Sequence, residues 1–339
     1  MDITELLAAC AKTTASDLHL SPGRPPLYRL NGHLTPIESA ALSAHELDHQ
    51  LRALLTPAQA QSLDQQYDID IALSHQGQRF RANFFFQQQG LAAAFRPIPD
   101  EVPTLSALQA PPVLTQLATQ PHGLTLVTGP TGSGKSTTLA AMLQHMNQHL
   151  AYHLITIEDP IEFIHTPIRS LISQRELHQH TPSFSQALKA ALREDPDVIM
   201  VGELRDLATI RLALTAAETG HAVLATLHTA SAARSIHRLV DAFPGDEQPL
   251  IRNLLAESLR AVISQRLVAD TRQGRCALHE IMIATPAIRN MVRDQHIAQI
   301  PTAIQTGSAQ GMQSMQQSAE TAFQQGRINT DTLAKIQSE

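Results

Sequence analysis

The sequence predicts an α/β protein with two domains joined by a proline-rich linker. Three observations support this fold class. The chain has 339 residues, enough for two domains of roughly 150 residues each. Five prolines cluster between positions 97 and 112, and beyond residue 113 short apolar strands alternate with longer helical stretches. We therefore expect a first domain over 1–97, a linker over 98–112 and a second domain over 113–339.

The first domain is predicted to be a small α+β unit. Its expected elements, in chain order, are a helix over 3–13, strands over 16–20 and 27–30, a helix over 44–64, and strands over 67–73, 80–86 and 91–96. The pair Asn31-Gly32 predicts a hairpin turn after the second strand, because both residue types tolerate positive φ. The last three strands are joined by short turns, so neighbouring strands should be antiparallel.

The linker differs from the first domain in its proline content, and the second domain differs in its alternation of strands and helices. Each linker proline fixes φ and removes a backbone donor, which predicts a semi-rigid hinge. The second domain alternates strands with helices, which is typical of a mostly parallel sheet. Its expected strands are 124–128, 153–157, 198–201 and 222–227. After about residue 245 the chain is predicted to be helical almost throughout.

Composition narrows the class of protein. The formal net charge is −6 and aromatic residues make up 4% of the chain, which argues against a nucleic-acid-binding protein because such proteins usually present a basic face. Two cysteines far apart indicate no disulfide framework and favour a reducing compartment. The N-terminus carries no basic segment, and no apolar run approaches the roughly 20 residues of a membrane span. We expect a soluble, cytoplasmic protein.

One segment matches G-x-x-x-x-G-K-[ST], the phosphate-binding loop, at every position. It reads Gly129-Pro130-Thr131-Gly132-Ser133-Gly134-Lys135-Ser136. An apolar strand precedes it and a helical stretch beginning at Thr137 follows, which is the expected context. Backbone N–H groups of this loop and the helix N-terminus would bind phosphate, with Lys135 on the β- and γ-phosphates and Ser136 on Mg²⁺. We count Thr137 among the expected nucleotide contacts.

Carboxylates follow two of the predicted strands. Asp159 and Glu162 come after the strand at 153–157, and Glu203 comes after the strand at 198–201. Carboxyl ends of parallel strands are where ligands bind in open α/β sheets. Asp159 and Glu162 can hold Mg²⁺ or its waters, or orient the attacking water; taken alone, the segment could equally be a solvated loop. Glu203 can polarise water for attack on the γ-phosphate. Arg205 and Asp206 can pair with each other or across a subunit boundary.

Two histidines and three arginines are further candidates for contacts with the phosphates of a nucleotide. His221 opens a predicted strand and His228 ends it, and a histidine can donate to a phosphate and respond to its loss. A hydrogen-bonded surface histidine is an equally good interpretation. In the first domain Arg79 and Arg81 face the same side of one strand, and Arg96 lies on a neighbouring strand. They form either a basic face that contacts the triphosphate or a set of solvent-exposed arginines.

Together these motifs resemble those of the secretion and type IV pilus ATPase superfamily. The phosphate loop at 129–136, the acidic segment 155–162, the segment ending in Gly202-Glu203 and the histidine segment 221–228 carry the resemblance. The stretch Ala287 to Asp294 resembles a C-terminal signature, AIRNLIRE, of the type IV pilus retraction ATPases. Three of its positions differ conservatively. The longer extension and secretion motors often carry a four-cysteine zinc insertion, which two cysteines cannot build.

The resemblance implies a PAS-like N-terminal domain, a RecA-like ATPase domain with C-terminal helices, and a homohexamer with ATP between the domains. It implies Glu203 as catalytic base, with Lys135 and Glu162 also in the catalytic centre and Ser136 and Asp159 towards Mg²⁺. It also implies phosphate sensing by His221 and His228, and triphosphate contacts by Arg81 and Arg96. The cofactors would be ATP and Mg²⁺. Hydrolysis would drive pilus retraction through an inner-membrane platform protein at the base of the pilus machine, without direct binding of nucleic acid.

Three alternatives stay open. An extension motor, a secretion motor or an accessory retraction paralogue would share these motifs. A nucleic-acid translocase would share the ATPase core, but the charge and the low aromatic content argue against it. A non-catalytic scaffold would have no need for Lys135, Ser136 and Glu203 together.

Overall fold

The computed structural model describes residues 2–30, 32–98, 101–272 and 274–338. The chain divides into two compact units, one comprising Met1–Glu101 with Pro160–Ile164 and the other Val102–Asp159 with His165–Glu339. Assignment of 160–164 to the first unit was not predicted from the sequence. Asn31 of the predicted turn, and Pro99 and Asp100 of the predicted linker, lie outside the described residues, so the hinge stays a prediction.

The first unit is built on a six-stranded antiparallel sheet with the order β3-β2-β1-β6-β5-β4. Its elements are α1 (Ile3–Ala11), β1 (Asp17–Leu20), β2 (Leu27–Leu30), β3 (His33–Pro36), α2 (Ala44–Arg52), α3 (Pro57–Gln66), β4 (Asp68–His75), β5 (Gln78–Gln87) and β6 (Gly90–Ile98). The predicted strands of this unit are confirmed. A single helix over 44–64 is wrong, because Thr56 caps a new helix whose first residue is Pro57.

Along strand β5, buried side chains alternate with more exposed ones. Phe80, Ala82 and Phe84 alternate with more exposed residues and are fully buried. They join a core that also contains residues of α1 and α2. Because successive side chains of a strand point to opposite faces, Arg79 and Arg81 lie on the face away from this core.

The second unit contains a seven-stranded sheet with the order β13-β12-β7-β11-β10-β8-β9, in which only β13 is antiparallel to its neighbour. Its strands are β7 (Gly123–Thr128), β8 (His153–Glu158), β9 (Leu171–Glu176), β10 (Val198–Val201), β11 (Ala222–Leu227), β12 (Leu259–Ala269) and β13 (Arg275–Ile283). Its helices are α4 (Val113–Ala118), α5 (Lys135–His149), α6 (Phe184–Ala191), α7 (Leu207–Glu218), α8 (Ala232–Asp241), α9 (Gln248–Ser258), α10 (Pro286–Arg293), α11 (Ile300–Thr306), α12 (Met315–Gln324) and α13 (Thr330–Gln337).

The expectation of an almost wholly helical chain after residue 245 is wrong. Strands β12 and β13 form a long antiparallel pair, and β12 lies directly beside β7. Residues 259–265 of β12 are all buried except Arg260, so the strand lacks the alternation of a half-exposed strand. A fully buried strand and a buried helix give similar apolar runs, and hydrophobic period does not separate them.

The parallel strands of the second unit bring their carboxyl ends to one edge of the sheet. The segments that follow β7, β8, β10 and β11 contain the phosphate loop, Asp159, Glu203 and His228 respectively. Sheet topology therefore collects the predicted site residues of this unit along one edge. Within the described residues, no helix is both long and apolar enough to cross a membrane.

Candidate active site

The phosphate loop connects β7 to α5, and two of its glycines have no room for a side chain. Gly129 has a φ of +146°, and a Cβ atom there would lie 2.3 Å from the Gln265 carbonyl oxygen. Gly134 has a φ of +87°, and its Cβ would lie 2.8 Å from Gln265 Nε2. Both positions therefore require glycine, for conformation and for space. Ser136 and Thr137 lie in the first turn of α5, where backbone N–H groups are available to an anion.

Gln265 on β12 holds this loop in place. Its side-chain nitrogen donates to the Ser133 carbonyl at 2.7 Å, and its side-chain oxygen accepts from Thr138 Oγ1 at 2.7 Å. The residue is 3% exposed, so both bonds are shielded from water. Gln265 was not among the site residues predicted from the sequence. The available signal was a polar pair, Ser264-Gln265, inside an otherwise apolar run.

Lys135 lies at the end of the loop with its side chain buried. Its ammonium group donates to the carbonyl oxygens of Gly129 at 2.9 Å and Pro130 at 3.0 Å. It also lies 3.5 Å from His228 Nδ1. The lysine is thus directed back along the loop, where a phosphate held by the backbone N–H groups would meet it.

Glu203 is held by two cationic or potentially cationic neighbours. Its Oε1 lies 3.1 Å from His228 Nε2, and its Oε2 accepts from Arg205 Nε at 2.7 Å. Arg205 also donates from Nη1 to Asp159 Oδ2 at 3.2 Å. A continuous polar chain therefore runs from Lys135 through His228, Glu203 and Arg205 to Asp159.

These contacts set the charge on Glu203. Burial alone would raise the pKa of its carboxyl group, but the hydrogen bonds and charges of Arg205 and His228 outweigh burial and lower the pKa below the usual value. Glu203 is therefore ionised at neutral pH. An ionised carboxylate at the strand edge can accept a proton from water.

Asp206 has a structural role in this chain. Its side chain accepts from the Thr209 backbone N–H at 2.8 Å and from Thr209 Oγ1 at 2.7 Å, and it caps the N-terminus of α7. Arg205 pairs with Glu203 and Asp159 instead. The predicted pairing of Arg205 with Asp206 is therefore wrong within the chain.

The two histidines that flank β11 (Ala222–Leu227) lie at opposite ends of that strand. His228 follows the carboxyl end of β11, whereas the backbone carbonyl of His221 at the other end accepts from Gly123 N, the first residue of β7. At about 3.3 Å per residue, the two histidines are roughly 20 Å apart along the strand. His221 Nδ1 lies 3.1 Å from the Ala216 carbonyl oxygen. Among the described residues, His228 lies within 3.5 Å of the phosphate-loop lysine. Phosphate sensing by His221 stays a prediction.

The acidic segment is divided between the two units. Asp159 lies in the second unit with Arg205, whereas Glu162 belongs to the segment Pro160–Ile164 of the first unit. In that segment the Ile161 carbonyl accepts from Arg79 Nη2 at 2.9 Å. The catalytic role predicted for Glu162 stays a prediction.

The residues present suit Mg²⁺ by their chemistry. Ser136 offers a hydroxyl oxygen and Asp159 a carboxylate oxygen, the hard ligands that Mg²⁺ prefers. Among the described residues no group of three or more His, Cys, Asp or Glu side chains could hold a metal ion. This donor set therefore fits an ion that keeps waters and phosphate oxygens as its other ligands.

Arg81 and Arg96 are cross-strand neighbours on β5 and β6 of the first unit. Arg81 lies 3.7 Å from a carboxylate oxygen of Asp70, and Arg96 pairs with Asp17 at 2.9 Å. Each predicted triphosphate contact thus has an aspartate partner within its own unit. Their contact with a triphosphate stays a prediction.

The C-terminal signature segment forms helix α10 and is tied to neighbouring backbone. Arg289 donates to the carbonyl oxygens of Ala284, Glu257 and Leu259. Arg293 pairs with Glu257 at 2.7 Å. These bonds join α10 to the junction between α9 and β12, the strand that carries Gln265.

The fold and this site define a P-loop nucleotide-binding protein. Comparison with known proteins is consistent with that class: the model of the family described as type II/IV secretion system protein matches residues 1–272. The chain belongs to this family.

Two similar relatives and one solved structure extend the match over nearly the whole chain. The "Type IV pilus retractation ATPase PilT" of Pseudomonas aeruginosa is 49% identical over 98% of this chain and 96% of its own length. The "Twitching motility protein" of Neisseria gonorrhoeae is 50% identical over 89% of this chain and 82% of its own length. A crystal structure described as the pilus retraction motor PilT with bound ADP superposes with a TM-score of 0.90 at 40% identity, covering 99% of this chain and 97% of that one.

Proposed function

We propose that this protein is an ATP-hydrolysing motor that powers type IV pilus retraction. The observation that supports hydrolysis best is the geometry around Glu203. A carboxylate kept ionised by Arg205 lies next to His228, which in turn reaches the phosphate-loop lysine. The similarity to a retraction ATPase over nearly the whole length of both chains supports the biological role.

In this proposal each residue of the polar chain has one task. The loop 129–136 and the first turn of α5 bind the phosphates, with Lys135 turning from the loop carbonyls to the γ-phosphate. Glu203 accepts the proton of the attacking water. His228 lies between Lys135 and Glu203, so a movement of either side chain changes the hydrogen bonding of the other.

Mg²⁺ bound near Ser136 and Asp159 would neutralise charge on the phosphate oxygens. The role of Arg205 follows from its two carboxylate partners. Arg205 keeps Glu203 and Asp159 apart from Lys135 until a nucleotide binds. Asp159 can turn towards a metal ion only after Arg205 has released it. Arg205 is therefore a positioning residue in this scheme.

The mechanical part of the proposal draws on the relatives. We propose a homohexamer at the inner-membrane base of a pilus machine, acting on a membrane platform protein. Arg81, Arg96 and Glu162 of the first unit would then join the nucleotide site, and the linker over 98–112 would serve as the hinge between domains.

The hydrolytic proposal is tested with purified protein. We expect Lys135→Ala and Glu203→Gln each to lower the ATP turnover number by about 10²-fold or more, because one removes a phosphate contact and the other the base. Lys189→Ala and Glu218→Gln change exposed residues of α6 and α7 and serve as matched controls. Full hydrolysis by the Lys135→Ala protein would contradict the proposal.

The biological proposal is tested by deleting the gene in its source organism. Retraction predicts surplus surface pili and no twitching motility. Loss of pili would instead indicate an extension or assembly motor. Unchanged pili with reduced motility would indicate an accessory role.

A further inference from the structure

Four side-chain hydroxyl groups form a connected cluster next to the phosphate loop, within the second unit. Thr229 Oγ1 lies 2.6 Å from Ser235 Oγ. Ser235 Oγ lies 3.5 Å from Thr128 Oγ1, which in turn lies 2.9 Å from Ser264 Oγ. The name hydroxyl cluster is used below for these four residues, Thr128, Thr229, Ser235 and Ser264.

The hydroxyl cluster is largely shielded from water. Thr128, Ser235 and Ser264 are each 0% exposed, and Thr229 is partly buried. In such surroundings a hydrogen bond is stronger than in water, and the loss of one partner leaves a buried polar atom unpaired. A bonded, buried cluster therefore fixes the backbone segments that carry it.

Three members of the hydroxyl cluster are immediate sequence neighbours of site residues. The pairs of neighbours are Thr229 with His228, Thr128 with Gly129, and Ser264 with Gln265. The three members come from different parts of the chain, namely the segment after β11, the end of β7 and the middle of β12. The cluster thus joins the segments that present the site histidine, the phosphate loop and the glutamine that holds this loop.

Ser235, the fourth member, lies in the first turn of α8 and has a fixed position. Its hydroxyl donates to the Ser231 carbonyl at 2.8 Å. Because a hydroxyl has one proton, Thr229 is the donor in its bond to Ser235. The start of α8 is itself attached to the sheet, since Glu280 Oε1 on β13 accepts from the Ala232 N–H at 2.7 Å. Ser235 is therefore a rigid acceptor for the Thr229 hydroxyl.

The position of His228 decides whether two site residues are connected. Its Nε2 lies 3.1 Å from Glu203 Oε1, and its Nδ1 lies 3.5 Å from Lys135 Nζ. A displacement of about 1 Å away from Glu203 would break the first contact, since hydrogen bonds to oxygen extend to only about 3.2 Å. The His228 side chain is 44% exposed, so packing alone holds it loosely. The backbone beside it must supply the remaining constraint.

We propose that Thr229 and Ser235 are positioning residues of the hydrolytic site. Their hydrogen bond fixes the backbone that follows β11, and the fixed backbone holds His228 between the phosphate-loop lysine and the candidate base. The proposal rests on the proposed ATPase function and deepens it. Because the bond acts on the arrangement of the catalytic groups and not on the phosphates, its loss should lower kcat and leave nucleotide affinity unchanged.

The first test compares two substitutions of Thr229 in the purified protein. Thr229→Val keeps the shape of the side chain and removes the hydroxyl, whereas Thr229→Ser keeps the hydroxyl. We expect Thr229→Val to lower kcat by roughly 3- to 10-fold, the range for one hydrogen bond, with the Kd for ADP from equilibrium dialysis unchanged. Thr229→Ser should keep most of the wild-type kcat. Wild-type kcat in Thr229→Val, or equal losses in the two variants, would overturn the proposal.

A matched pair of buried serines separates positioning from packing. Ser258 is 2% exposed and donates to the Leu254 carbonyl at 2.7 Å, with the same four-residue spacing as the bond that Ser235 makes within α8. Ser258 lies beside Gly123, at the end of β7 that is distant from the phosphate loop. We expect Ser235→Ala and Ser258→Ala to lower the free energy of unfolding by similar amounts, but only Ser235→Ala to lower kcat. Equal kcat in the two variants would contradict a positioning role.

The double variant Thr229→Val/Ser235→Ala tests whether the two residues act through one bond. Each substitution breaks the same hydrogen bond, so the double variant should lose no more kcat than the more impaired single variant. Losses that multiply would indicate two independent effects, and the proposal would fail. If the wild-type protein does not hydrolyse ATP, the proposed function fails as well. If it does and all these variants keep the wild-type kcat, the ATPase function stands and only the positioning role fails.

Discussion

Arg205 shows how one side chain can set the charge state of a carboxylate in the candidate active site. It is more than half exposed at its side chain, yet it bonds both Glu203 and Asp159. Exposed ion pairs contribute little to stability, with a median of about 0–1 kcal/mol. The effect of Arg205 is therefore expected in the titration of Glu203 and not in the stability of the fold.

We predict that Arg205→Gln moves the acid limb of the pH profile of kcat/KM to higher pH. The guanidinium and His228 together hold the pKa of Glu203 below its usual value, while burial acts in the opposite direction. Removing Arg205 leaves burial less opposed, so the pKa of the carboxyl rises. A general base acts only when deprotonated, hence activity is lost at a higher pH than in the wild type.

A matched control for this prediction is Arg175→Gln. Arg175 pairs with Glu194 at 2.8 Å in the same unit, and within the described part of the chain no hydrogen bond or ion pair joins it to Glu203. The acid limb of the kcat/KM profile of Arg175→Gln should coincide with that of the wild type. An unchanged acid limb in Arg205→Gln would show that Arg205 does not tune the base.

Strand β12 holds the phosphate loop through the side chain and the backbone of Gln265. Gln265 bonds both Ser133 and Thr138, and its backbone carbonyl fills the space that a side chain at Gly129 would need. Arg289 of α10 donates to the carbonyl of Leu259, the first residue of the same strand, and to the carbonyl of Glu257 near the end of α9. One continuous element thus joins the C-terminal signature helix to the phosphate loop.

We predict that Gln265→Leu raises the KM for ATP and lowers the free energy of unfolding by about 1–3 kcal/mol. The substitution leaves the buried Ser133 carbonyl and Thr138 hydroxyl without their partners, which costs roughly that amount. The loop then loses its fixed geometry. Denaturant unfolding and steady-state ATP hydrolysis measure the two effects.

Gln248→Leu is the control for β12, because Gln248 also donates from its side chain to a backbone carbonyl, that of Phe243, far from the loop. It should lower stability without raising the KM. If Gln265→Leu behaved in the same way, Gln265 would be a packing residue and not a positioning residue of the site.

At the scale of the whole molecule, the two units have separate hydrophobic cores. One core draws on residues 3–95, and the remaining buried clusters draw on residues from 105 onwards. Each unit holds one fully buried free cysteine, Cys10 in the first and Cys276 in the second. Burial raises the pKa of the Cys10 thiol to about 11 and also raises that of Cys276.

We predict that a thiol reagent labels both cysteines slowly in native protein and that ADP slows Cys276 far more than Cys10. A buried thiol reacts when its unit opens, and a ligand stabilises most the unit that supplies most of its contacts, here the unit with the phosphate loop. At an ADP concentration of 100 times Kd, stabilisation of about 2.7 kcal/mol would slow Cys276 labelling by about 100-fold. Pulsed labelling with mass analysis of peptides measures both rates.

The rate for Cys10 is the internal control in this experiment. An unchanged Cys10 rate would support two units that open independently, as the predicted boundary near residue 97 and the linker over 98–112 imply. Equal protection of both cysteines by ADP would show that the units unfold together.

The sequence alone determined the local features of this protein. The loop 129–136 was predicted because its spacing and its flanking strand and helix are specified by neighbouring residues. Parallel strands were predicted from short apolar runs, and the residues after their carboxyl ends marked Glu203 and His228 as candidate site residues. An α/β fold with two domains was predicted from the proline cluster and from the alternation of short strands and longer helices that begins after it.

Only the tertiary structure decided which of these residues meet. It separated His221 from His228 by the length of a strand, paired Arg205 with two carboxylates instead of Asp206, and brought Gln265 from 129 residues beyond Ser136 to the phosphate loop. It also converted a predicted helical region into β12 and β13. Contacts between distant parts of a chain depend on the order and register of strands, and neither is encoded in the hydrophobic period of one segment.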